Sequence, residues 1–387
     1  MQPATQKKLA EEIRAHLRTG STALADAVLR NPTSEYIDPD HLRRELRDVF
    51  ANAPVVVAHA SELALPNDFV AVDVAGSPLL LIRQADGNVG AFLNVCRHRG
   101  SKVATEPCGH RSVFTCPYHA WSYRPNGDLL HVPHANDFGA ISREDYALVA
   151  LPAEERHGLV WVTLTAACPI DVAGFLGPEL DAELASYGIE RFAVERTHRV
   201  DVATNWKVII DGFLETYHLG VLHRTTIGPH IRTNLAPYRA FGPHGCMTAV
   251  RTSFDRPGTD PNADPGPHLV NAYQIFPNTV LVWSGVHFEA WTAFPRVDDP
   301  SMSDVTVRVL GRADHLTEAT DYWVKNWEVV TSTVLGEDFA VGASIQQGFA
   351  AGAQSYVTFG RNEPGVQHFH RSLHDALTVS AERTPEN

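Results

Sequence analysis

The chain has few cysteines and no long apolar run, and both shortages exclude classes of protein. Five cysteines in 387 residues are an odd number for a long chain, which argues against a disulfide-stabilised extracellular fold. No apolar stretch approaches the roughly 18 residues that cross a bilayer. The N-terminal stretch carries charges where a secretion signal would be apolar. We therefore expect a cytoplasmic protein with no membrane partner.

Basic residues are also in deficit. The 32 Lys and Arg are outnumbered by 45 Asp and Glu, giving a formal net charge of −13, which argues against nucleic acid and anionic membrane surfaces as partners. A glycine-rich GxGxxG turn followed by a βα pattern is missing, so we do not expect the chain to bind a nicotinamide dinucleotide itself. The length is sufficient for two domains, each with its own core.

The spacing of apolar and polar residues changes along the chain. Helical spacing of apolar and charged residues predicts surface helices over residues 5–18 and 40–50. Short β-rich runs separated by turn signals predict an all-β module from about Val55 to Val162. Longer β runs between about residues 247 and 311 predict an antiparallel sheet, and helical patterns cover about 317–335 and 338–352.

Two short motifs in the β-rich module carry four metal-binding side chains. Cys96 and His98 are followed, 17 residues later, by Cys116 and His119. Such a set can hold one tetrahedral ion or a two-iron cluster. Structural zinc loops usually separate paired ligands by two to four residues, whereas the first pair here is separated by one. The mixed pattern favours a cluster with both cysteines on one iron and both histidines on the other.

A second group of candidate ligands lies in a segment with helical character that begins at Asn205. On a regular helix Glu215 and His218 share a face, but His218 and His223 diverge by roughly 140°. The two histidines can bind one metal only if the helix is broken between them, and Gly220 could provide that break. Two histidines and a distant carboxylate would form the facial triad of a non-haem Fe(II) oxygenase.

Both motifs resemble those of one family. CRHRG and CPYHAW are similar to the Rieske [2Fe-2S] signature, and NWK followed by (D/E)-x2-H-x4-H is similar to the mononuclear-iron motif of Rieske-type non-haem iron aromatic ring-hydroxylating oxygenase α subunits. The resemblance covers about residues 35–378. It implies that His218 and His223 bind iron and that Glu215 links the two metal sites. Asn205 and Asp211 complete the motif, and Asp211 could accept a hydrogen bond from a histidine N–H.

The resemblance also guides the choice of a third iron ligand. The candidates by sequence are Asp321, Glu328, Glu337 and Asp338. The family places an acidic pair about ten residues before a Gln-x-Gly, and Glu337-Asp338 followed by Gln347-Gly348 matches that environment. We select Asp338, with Glu337 as its nearest rival.

The same resemblance implies an α+β fold. Residues 46–165 would form an all-β Rieske [2Fe-2S] domain. Residues 166–387 would form a catalytic domain with an antiparallel sheet flanked by helices, of the helix-grip or START-like type. Residues 1–45 would be N-terminal helices packed on the catalytic domain.

The implied function is that of a terminal oxygenase component. Electrons would come from NAD(P)H through a separate reductase, with or without a ferredoxin, and pass through the Rieske cluster to Fe(II). O2 would then be used to hydroxylate or cis-dihydroxylate an aromatic substrate, as in aromatic hydrocarbon catabolism. The family implies a head-to-tail homotrimer in which His98 or His119 of one subunit contacts Glu215 of the next, and a small β subunit could be added.

Two alternatives remain open at this stage. One is a Rieske monooxygenase or demethylase that acts on a quaternary amine or another non-aromatic substrate, which an aromatic cage would favour. The other is a zinc-stabilised binding protein. Seven residues could line a substrate pocket, although such side chains more often belong to a core: Phe213, Leu214, Val221, Cys246, Tyr273, Phe276 and Trp283. For His368, His370 and His374 we expect packing near the C-terminus.

Overall fold

The computed structural model of the protein describes residues 1, 3–256, 260, 263–316 and 320–383. The stretch 255–268 is rich in Pro, Gly and Asp, which predicts a loop. Part of it, and the start of the helical pattern predicted from about 317, lie outside the described residues. The described residues form eight α-helices: α1 (Pro3–Thr19), α2 (Pro39–Glu45), α3 (Ala135–Phe138), α4 (Val172–Ala185), α5 (Trp206–Phe213), α6 (Thr320–Val330), α7 (Phe339–Ala350) and α8 (Pro364–Arg383).

Twenty strands are present in the same residues. They are β1 (Leu29–Pro32), β2 (Val55–His59), β3 (Asp68–Val74), β4 (Ser77–Arg83), β5 (Val89–Leu93), β6 (Cys108–His110), β7 (Phe114–Thr115), β8 (Ser122–Tyr123), β9 (Leu129–His131), β10 (Ala150–Leu151), β11 (Ala153–Arg156), β12 (Leu159–Val162), β13 (Phe192–Val202), β14 (Tyr238–Phe241), β15 (His244–Val250), β16 (Leu269–Ile275), β17 (Thr279–Trp283), β18 (Phe288–Arg296), β19 (Asp299–Arg312) and β20 (Tyr356–Phe359). Turns of π-helix occupy Leu46–Phe50 and Thr331–Asp338.

The chain divides into two compact units. The first unit contains Met1–Val49, Leu176–Tyr187 and Val194–Asn387, and the second contains Phe50–Phe175 and Gly188–Ala193. The α+β class predicted from the sequence is confirmed. The predicted domain boundaries at residues 45 and 165 stay predictions.

The second unit is built from three small sheets. Their strand orders are β10-β5-β4-β3-β6, β11-β12-β2 and β7-β8-β9. The tight turn between β4 and β5 uses Gly87 at φ 89°, a left-handed conformation that favours glycine. One apolar core packs Phe69, Leu80 and Trp121 together with the candidate cluster ligands Cys96 and Cys116. The loops that carry the cysteines are thereby anchored in the core of this unit.

The first unit is organised around a seven-stranded antiparallel sheet. Its strand order is β13-β19-β18-β17-β16-β15-β14, so neighbours in sequence are neighbours in the sheet from β14 to β19. Helix α1 buries Leu9 and Ile13 in a cluster with Val250 and Leu269 of the sheet. Strands β1 and β20 form a separate two-stranded sheet.

The start of α5 is fixed by a buried ion pair. Lys207 Nζ lies 2.6 Å from Glu45 of α2, with both side chains fully buried, and Trp206 Nε1 donates to the same carboxylate at 2.9 Å. A buried charge pair is costly to break because it leaves one charge uncompensated. The pair therefore holds α5, which precedes the second candidate site, in a defined position. None of the helices in the described part of the chain has the length and apolar character needed to cross a membrane.

Candidate metal centres

The two cysteine loops of the second unit share one backbone conformation. Cys96 N donates to Ser101 O at 2.8 Å and Gly100 N donates to Cys96 O at 2.9 Å. In the other loop Cys116 N donates to Trp121 O at 2.8 Å, and the residue four after Cys116 donates back to Cys116 O at 3.0 Å. This fourth position has a positive φ in both loops, 83° at Gly100 and 55° at Ala120. The unequal spacings of the two motifs therefore conceal equivalent loops.

The two candidate cysteine ligands are buried in the second unit, and the two candidate histidine ligands are closer to solvent. Cys96 and Cys116 are 2% and 3% exposed, whereas both imidazoles are half-buried, with ring centroids 4.6 Å apart. The Tyr123 hydroxyl lies 3.3 Å from Cys96 Sγ. Beside the histidines, the buried Trp121 ring stacks on His98 at 4.9 Å. The buried Trp121 ring thus covers one face of the His98 imidazole and shields it from water.

The donor arrangement fits a two-iron cluster better than one tetrahedral ion. A tetrahedral zinc site requires all four ligand atoms to lie roughly 3.4–3.8 Å from one another, given its bond lengths. Among the described residues, the only group of three or more His, Cys, Asp or Glu donors that all lie within 4.8 Å of one another is elsewhere, in the first unit. Two inner thiolates and two outer imidazoles instead match the division of ligands between the two irons of a Rieske cluster.

The segment after α5 is not the helix that the sequence predicted. Asn205 caps α5 by accepting from Lys207 N at 3.0 Å, but the helix ends at Phe213, well before Gly220. The Glu215 carboxylate accepts hydrogen bonds from the N–H groups of Tyr217 and His218. These N–H groups are thereby removed from a helical ladder. The proposed break at Gly220 is wrong, because both histidines already lie in irregular turns.

A glycine shapes the turn that carries His223. Gly228 N donates to His223 O at 2.8 Å, and a Cβ at this glycine would lie 2.5 Å from Leu219 O and 2.7 Å from His223 O. Any side chain there would push the turn apart. The sequence contains this glycine, but its close packing on the backbone of the same turn is seen only in the structure.

Three predicted residues converge in the first unit. The donor atoms of His218, His223 and Asp338 all lie within 4.8 Å of one another. Asp338 Oδ1 is 3.1 Å from His223 Nε2 and 3.7 Å from His218 Nε2. Asp338 ends the π-helical turn and precedes α7, yet it makes no capping hydrogen bond. Its carboxylate is thus available to a metal together with both Nε2 atoms.

Each histidine in this group has a glutamate on its other nitrogen. Glu215 Oε1 contacts His218 Nδ1, and Glu337 Oε2 lies 2.6 Å from His223 Nδ1. Thr226 donates to the same Glu337 oxygen at 2.7 Å. Carboxylates in such contacts fix the tautomer that leaves Nε2 free for a metal. Glu337, the rival third ligand, therefore orients His223 from the far side of the ring.

The electrostatics of this group favour a cation. Burial opposes charge on His223, but hydrogen bonds to Asp338 and Glu337 outweigh it and raise the pKa of the imidazole. The His223 contact in turn lowers the pKa of Glu337. Asp321 and Glu328, the other sequence candidates, are not members of the converging group. The site thus combines two imidazoles and one carboxylate in a negative environment, which is the donor set of a non-haem iron centre.

The remaining predicted residues have structural partners. Asn205 Nδ2 donates to Pro300 O at 2.8 Å, so this residue ties α5 to its surroundings. Asp211 Oδ1 lies 2.9 Å from Nε2 of a histidine, as expected, but that histidine is His370 of α8. His368 contacts Tyr238 and His374 contacts Glu35, so the three C-terminal histidines have separate partners.

A cavity of about 230 Å³ adjoins this group. Its lining includes Asp211, Glu215, His218, Asp338 and Glu363 and contains no Lys or Arg among the described residues. Most of the wall is apolar, and the rings that contribute to it belong to Tyr36, Phe213, Phe339, Phe349 and Phe359. Burial, with help from Glu215 and Asp211, raises the pKa of Glu363. The cavity is thus apolar, aromatic and rich in carboxylates.

The sequence identified little of this cavity. Of the seven predicted pocket residues only Phe213 lines it, and most of the others are core residues, with Val221 79% exposed. Tyr36 and Glu363 were missed because they come from opposite ends of the chain. Their arrival at one cavity depends on the pairing of β1 with β20 and on the position of α8.

Two protein families match the chain. Residues 53–149 match the Rieske [2Fe-2S] domain, and residues 189–379 match the catalytic domain of the ring-hydroxylating alpha subunit. The first match contains all four candidate cluster ligands. The second contains the three residues that converge beside the cavity.

Individual relatives point to two kinds of oxygenase. The chain is 32% identical over 194 residues to the carnitine monooxygenase oxygenase subunit of Acinetobacter pittii (strain PHEA-2), covering 50% of this chain and 52% of that protein. It is 30% identical over 254 residues to the large oxygenase component of the 2,4-dinitrotoluene dioxygenase system of Burkholderia sp. (strain RASC), covering 62% and 55%. The chain thus spans about half the length of the curated relatives it matches.

Among solved structures, the fold is similar to that of a quaternary ammonium Rieske monooxygenase in complex with an inhibitor. The TM-score is 0.79, with 21% identity over 92% of this chain and 96% of the other. At that identity the similarity establishes the fold.

Proposed function

Because the chain belongs to the α subunits of the Rieske-type ring-hydroxylating oxygenases, we propose that it is the terminal oxygenase component of a multicomponent enzyme. The cofactors of this family are a Rieske [2Fe-2S] cluster and a mononuclear iron. When bound, they supply one-electron transfer and O2 activation. A separate NAD(P)H-dependent reductase, with or without a ferredoxin, would provide the electrons.

The first part of the proposal assigns the ligands. Cys96 and Cys116 would hold the inner iron of the cluster and His98 and His119 the outer one. In the first unit the mononuclear iron would be held by His218, His223 and Asp338. Glu215 and Glu337 keep the two Nδ1 atoms engaged, so that both Nε2 lone pairs are directed to the metal.

A homotrimer is part of the same proposal. Each unit exposes apolar side chains beside its own metal site: Tyr118, next to His119, is 60% exposed, and Tyr217, next to His218, is 61% exposed. Large exposed aromatics beside functional residues are typical of interfaces. We assign these surfaces to a subunit contact in which His98 or His119 of one subunit hydrogen-bonds Glu215 of the next. A small β subunit is compatible with this arrangement.

The substrate we propose is a quaternary ammonium compound. The observation that carries this choice is the cavity, which offers carboxylates and aromatic rings and no Lys or Arg. Quaternary ammonium groups bind to aromatic faces through cation–π attraction, and carboxylates add Coulomb attraction. A substrate carboxylate would find no basic partner among the described lining residues. The carnitine monooxygenase relatives, which by their name act on a quaternary amine, support the same choice.

The proposed reaction is a monooxygenation next to nitrogen. A carbon bonded to the quaternary nitrogen would gain one oxygen atom, with consumption of O2, two electrons and two protons and release of one water. The product, with a hydroxyl group and a nitrogen on one carbon, then separates into an amine and an aldehyde. Hydroxylation of an aromatic substrate, the main expectation from the sequence, becomes the second candidate. It is supported by the dinitrotoluene dioxygenase relative and by the apolar cavity wall.

Turnover with heavy O2 tests the substrate class. The purified oxygenase, loaded with iron, would be supplied with NADH, a surrogate reductase and isotopically labelled O2, and offered quaternary amines, aromatic acids and aromatic hydrocarbons. Reduction of any aldehyde by borohydride during quenching would limit exchange of its oxygen with water. We expect quaternary amines to give an amine and an alcohol that carries one heavy oxygen.

An aromatic diol with two heavy atoms, formed in preference to any amine product, would overturn the substrate assignment and establish a dioxygenase. A neutral isostere with a tert-butyl group in place of the trimethylammonium group is the matched control. If it is oxidised as efficiently as the cation, charge recognition by the cavity is wrong.

A further inference from the structure

Four carboxylates line the cavity beside the candidate iron site, and three of them have a histidine partner. The four belong to Asp211, Glu215, Asp338 and Glu363. Asp211 Oδ1 lies 2.9 Å from His370 Nε2, and Glu215 contacts Nδ1 of a candidate iron-binding histidine. Asp338 lies 3.1 and 3.7 Å from the two candidate iron-binding Nε2 atoms. Glu363 is the carboxylate that has no such contact in the described part of the chain.

The Glu363 side chain is held by the turn between β20 and α8. Its Oε2 accepts a hydrogen bond from the N–H of Gly360, and the Gly360 carbonyl accepts in turn from the N–H of Glu363 at 3.1 Å. Among the described residues this carboxylate has no other hydrogen-bond donor and no ion-pair partner. The residue is half-buried, and carboxylates removed from water are normally paired. Its Oε1 is therefore available to a ligand in the cavity.

The surroundings of Glu363 are negative. Burial raises the pKa of the Glu363 carboxyl, the Gly360 N–H opposes this rise, and the negative charges of Glu215 and Asp211 add to it. The described lining of the cavity contains no Lys or Arg. A cation bound beside Glu363 would favour its ionised form. A positively charged ligand would thus supply the partner that this carboxylate lacks.

Aromatic rings line the same cavity and are held in place by other rings. The Tyr36 and Phe349 rings pack together with centroids 4.9 Å apart, and the Phe359 ring stacks on the buried His370 at 4.8 Å. A quaternary ammonium group has no N–H to donate, so it is recognised by aromatic faces and by the charge of a nearby carboxylate. The cavity offers both, and Glu363 is the carboxylate without another partner.

We propose that Glu363 recognises the quaternary nitrogen of the substrate and sets the preference for a cation over a neutral molecule of the same shape. The inference rests on the proposed quaternary ammonium substrate. Glu363 also interacts electrostatically with His218, a candidate iron ligand. A nitrogen bound beside Glu363 would therefore keep its attached carbons near the candidate iron site. The role of Glu363 is in binding and not in the chemical step.

Equilibrium binding to the iron-loaded enzyme tests the proposal without turnover. Choline is the probe, and its neutral isostere is the alcohol in which a tert-butyl group replaces the trimethylammonium group. Both are titrated by calorimetry in the absence of oxygen and reductase. We expect the wild type to bind choline at least about tenfold more tightly than the isostere, because only the cation gains from the carboxylate and the aromatic faces.

Glu363→Gln is the central variant, because it removes the charge and keeps an oxygen that can accept from the Gly360 N–H. It should weaken choline binding by about tenfold and leave binding of the isostere unchanged. Glu363→Asp keeps the charge and should retain most of the preference for choline. Glu289→Gln removes one negative charge from the same unit outside the cavity lining and should change neither affinity.

A crystal structure of the wild-type enzyme with choline provides a measurement that needs no variant. The choline nitrogen should lie within about 6 Å of the Glu363 carboxylate, the range over which opposite charges interact strongly. This measurement decides the question if Glu363→Gln does not fold.

The proposal is overturned if Glu363→Gln keeps the wild-type preference for choline, if Glu289→Gln loses it equally, or if the bound nitrogen lies beyond that distance from Glu363. A wild type with no preference for choline over the isostere would overturn both this proposal and cation recognition by the cavity. A preference that persists in Glu363→Gln, in an enzyme that oxidises quaternary amines, would refute only the role of Glu363.

Discussion

The two candidate metal centres are encoded in different ways. The candidate cluster ligands fall within residues 96–119, on two loops with the same hydrogen-bond pattern. The candidate iron ligands lie between residues 218 and 338, on an irregular turn and at the end of a π-helical turn. In the first centre local sequence specifies both the ligands and their geometry. In the second centre the tertiary fold of the first unit brings together residues that are far apart in sequence.

The surroundings of the histidines differ accordingly. His98 and His119 face each other, and an aromatic ring stacks on one of them. His218 and His223 each have a glutamate on Nδ1. A cluster histidine that changes protonation with redox state requires a nitrogen near the surface, whereas an iron ligand requires a fixed tautomer. The contrast suggests that the two centres should respond differently to mutation.

Removal of the distant carboxylate should separate the two centres most completely. In Asp338→Ala we expect the mononuclear iron and all turnover to be lost while the cluster keeps its colour, because the candidate cluster ligands belong to the second unit, which has its own core. Iron analysis and visible absorption of the purified variant measure both effects. Asp321→Ala, at a rejected candidate, is the control and should retain iron. Unchanged iron content in Asp338→Ala would move the ligand assignment to Glu337.

Glu215→Gln should affect the connection between the centres and leave both metals bound. The amide keeps the shape of the side chain but loses the charge that holds His218 Nδ1–H and, in the proposed trimer, meets a cluster histidine. We expect turnover to fall by at least about 100-fold, the upper end for partners of metal-bound histidines. Glu289→Gln, beside His287, makes the same chemical change away from the site. Normal turnover in Glu215→Gln would refute the bridging role.

A milder change is expected at Glu337. Glu337→Ala removes the acceptor of His223 Nδ1–H and should weaken iron binding by about 10–100-fold, with the cluster unaffected. Glu337→Gln retains a hydrogen-bond acceptor, so its iron binding should be weakened less. Iron titration of the iron-free protein distinguishes them. A complete loss of iron in both variants would instead show Glu337 to be a direct ligand.

The smallest effect concerns the ion pair between Glu35 and His374 of α8. Burial opposes the charge on Glu35, but the His374 hydrogen bond prevails and lowers the pKa of Glu35 to about 2. The same contact raises the pKa of His374. The stabilisation from Glu35 is present above its unfolded pKa and is lost as the pH falls toward about 2. That from His374 is present below its unfolded pKa and is lost as the pH rises through the raised value.

Glu35 and His374 are both charged between about pH 4.5 and 6.5. In that range the pair should contribute most to the free energy of unfolding, by about 0.2–1 kcal/mol for a partly exposed pair. The difference in urea midpoint between wild type and Glu35→Gln, followed against pH, measures it. A difference that does not vary with pH would show that the pair is not ionic.

The sequence was informative where chemistry is local. The four candidate cluster ligands could be selected from their spacing, and the β-rich and sheet regions from alternation and turn residues such as Asp86-Gly87. Asp338 was selected by resemblance, since four carboxylates downstream were equivalent on spacing alone. The structure adds a geometric reason, because Glu337 is engaged with His223 and Thr226.

Other features could not be read from the sequence. The end of α5 at Phe213 depends on Glu215 competing for backbone N–H groups, which overrides a helical pattern. Beside the cavity, Tyr36, near one end of the chain, contacts His370, near the other, at 3.2 Å. Contacts between residues so far apart in the chain leave no periodic pattern in the sequence. Buried polar contacts of this kind follow from the packed fold, and residues outside the motifs supply them.

The most direct test of the account is the content of iron and acid-labile sulfide in protein purified without oxygen, compared between wild type and Asp338→Ala. The account predicts three irons and two sulfides per wild-type chain, from two cluster irons and one mononuclear iron. Asp338→Ala should retain two of each. Zinc in place of iron, or sulfide lost together with the mononuclear iron, would contradict two independent centres.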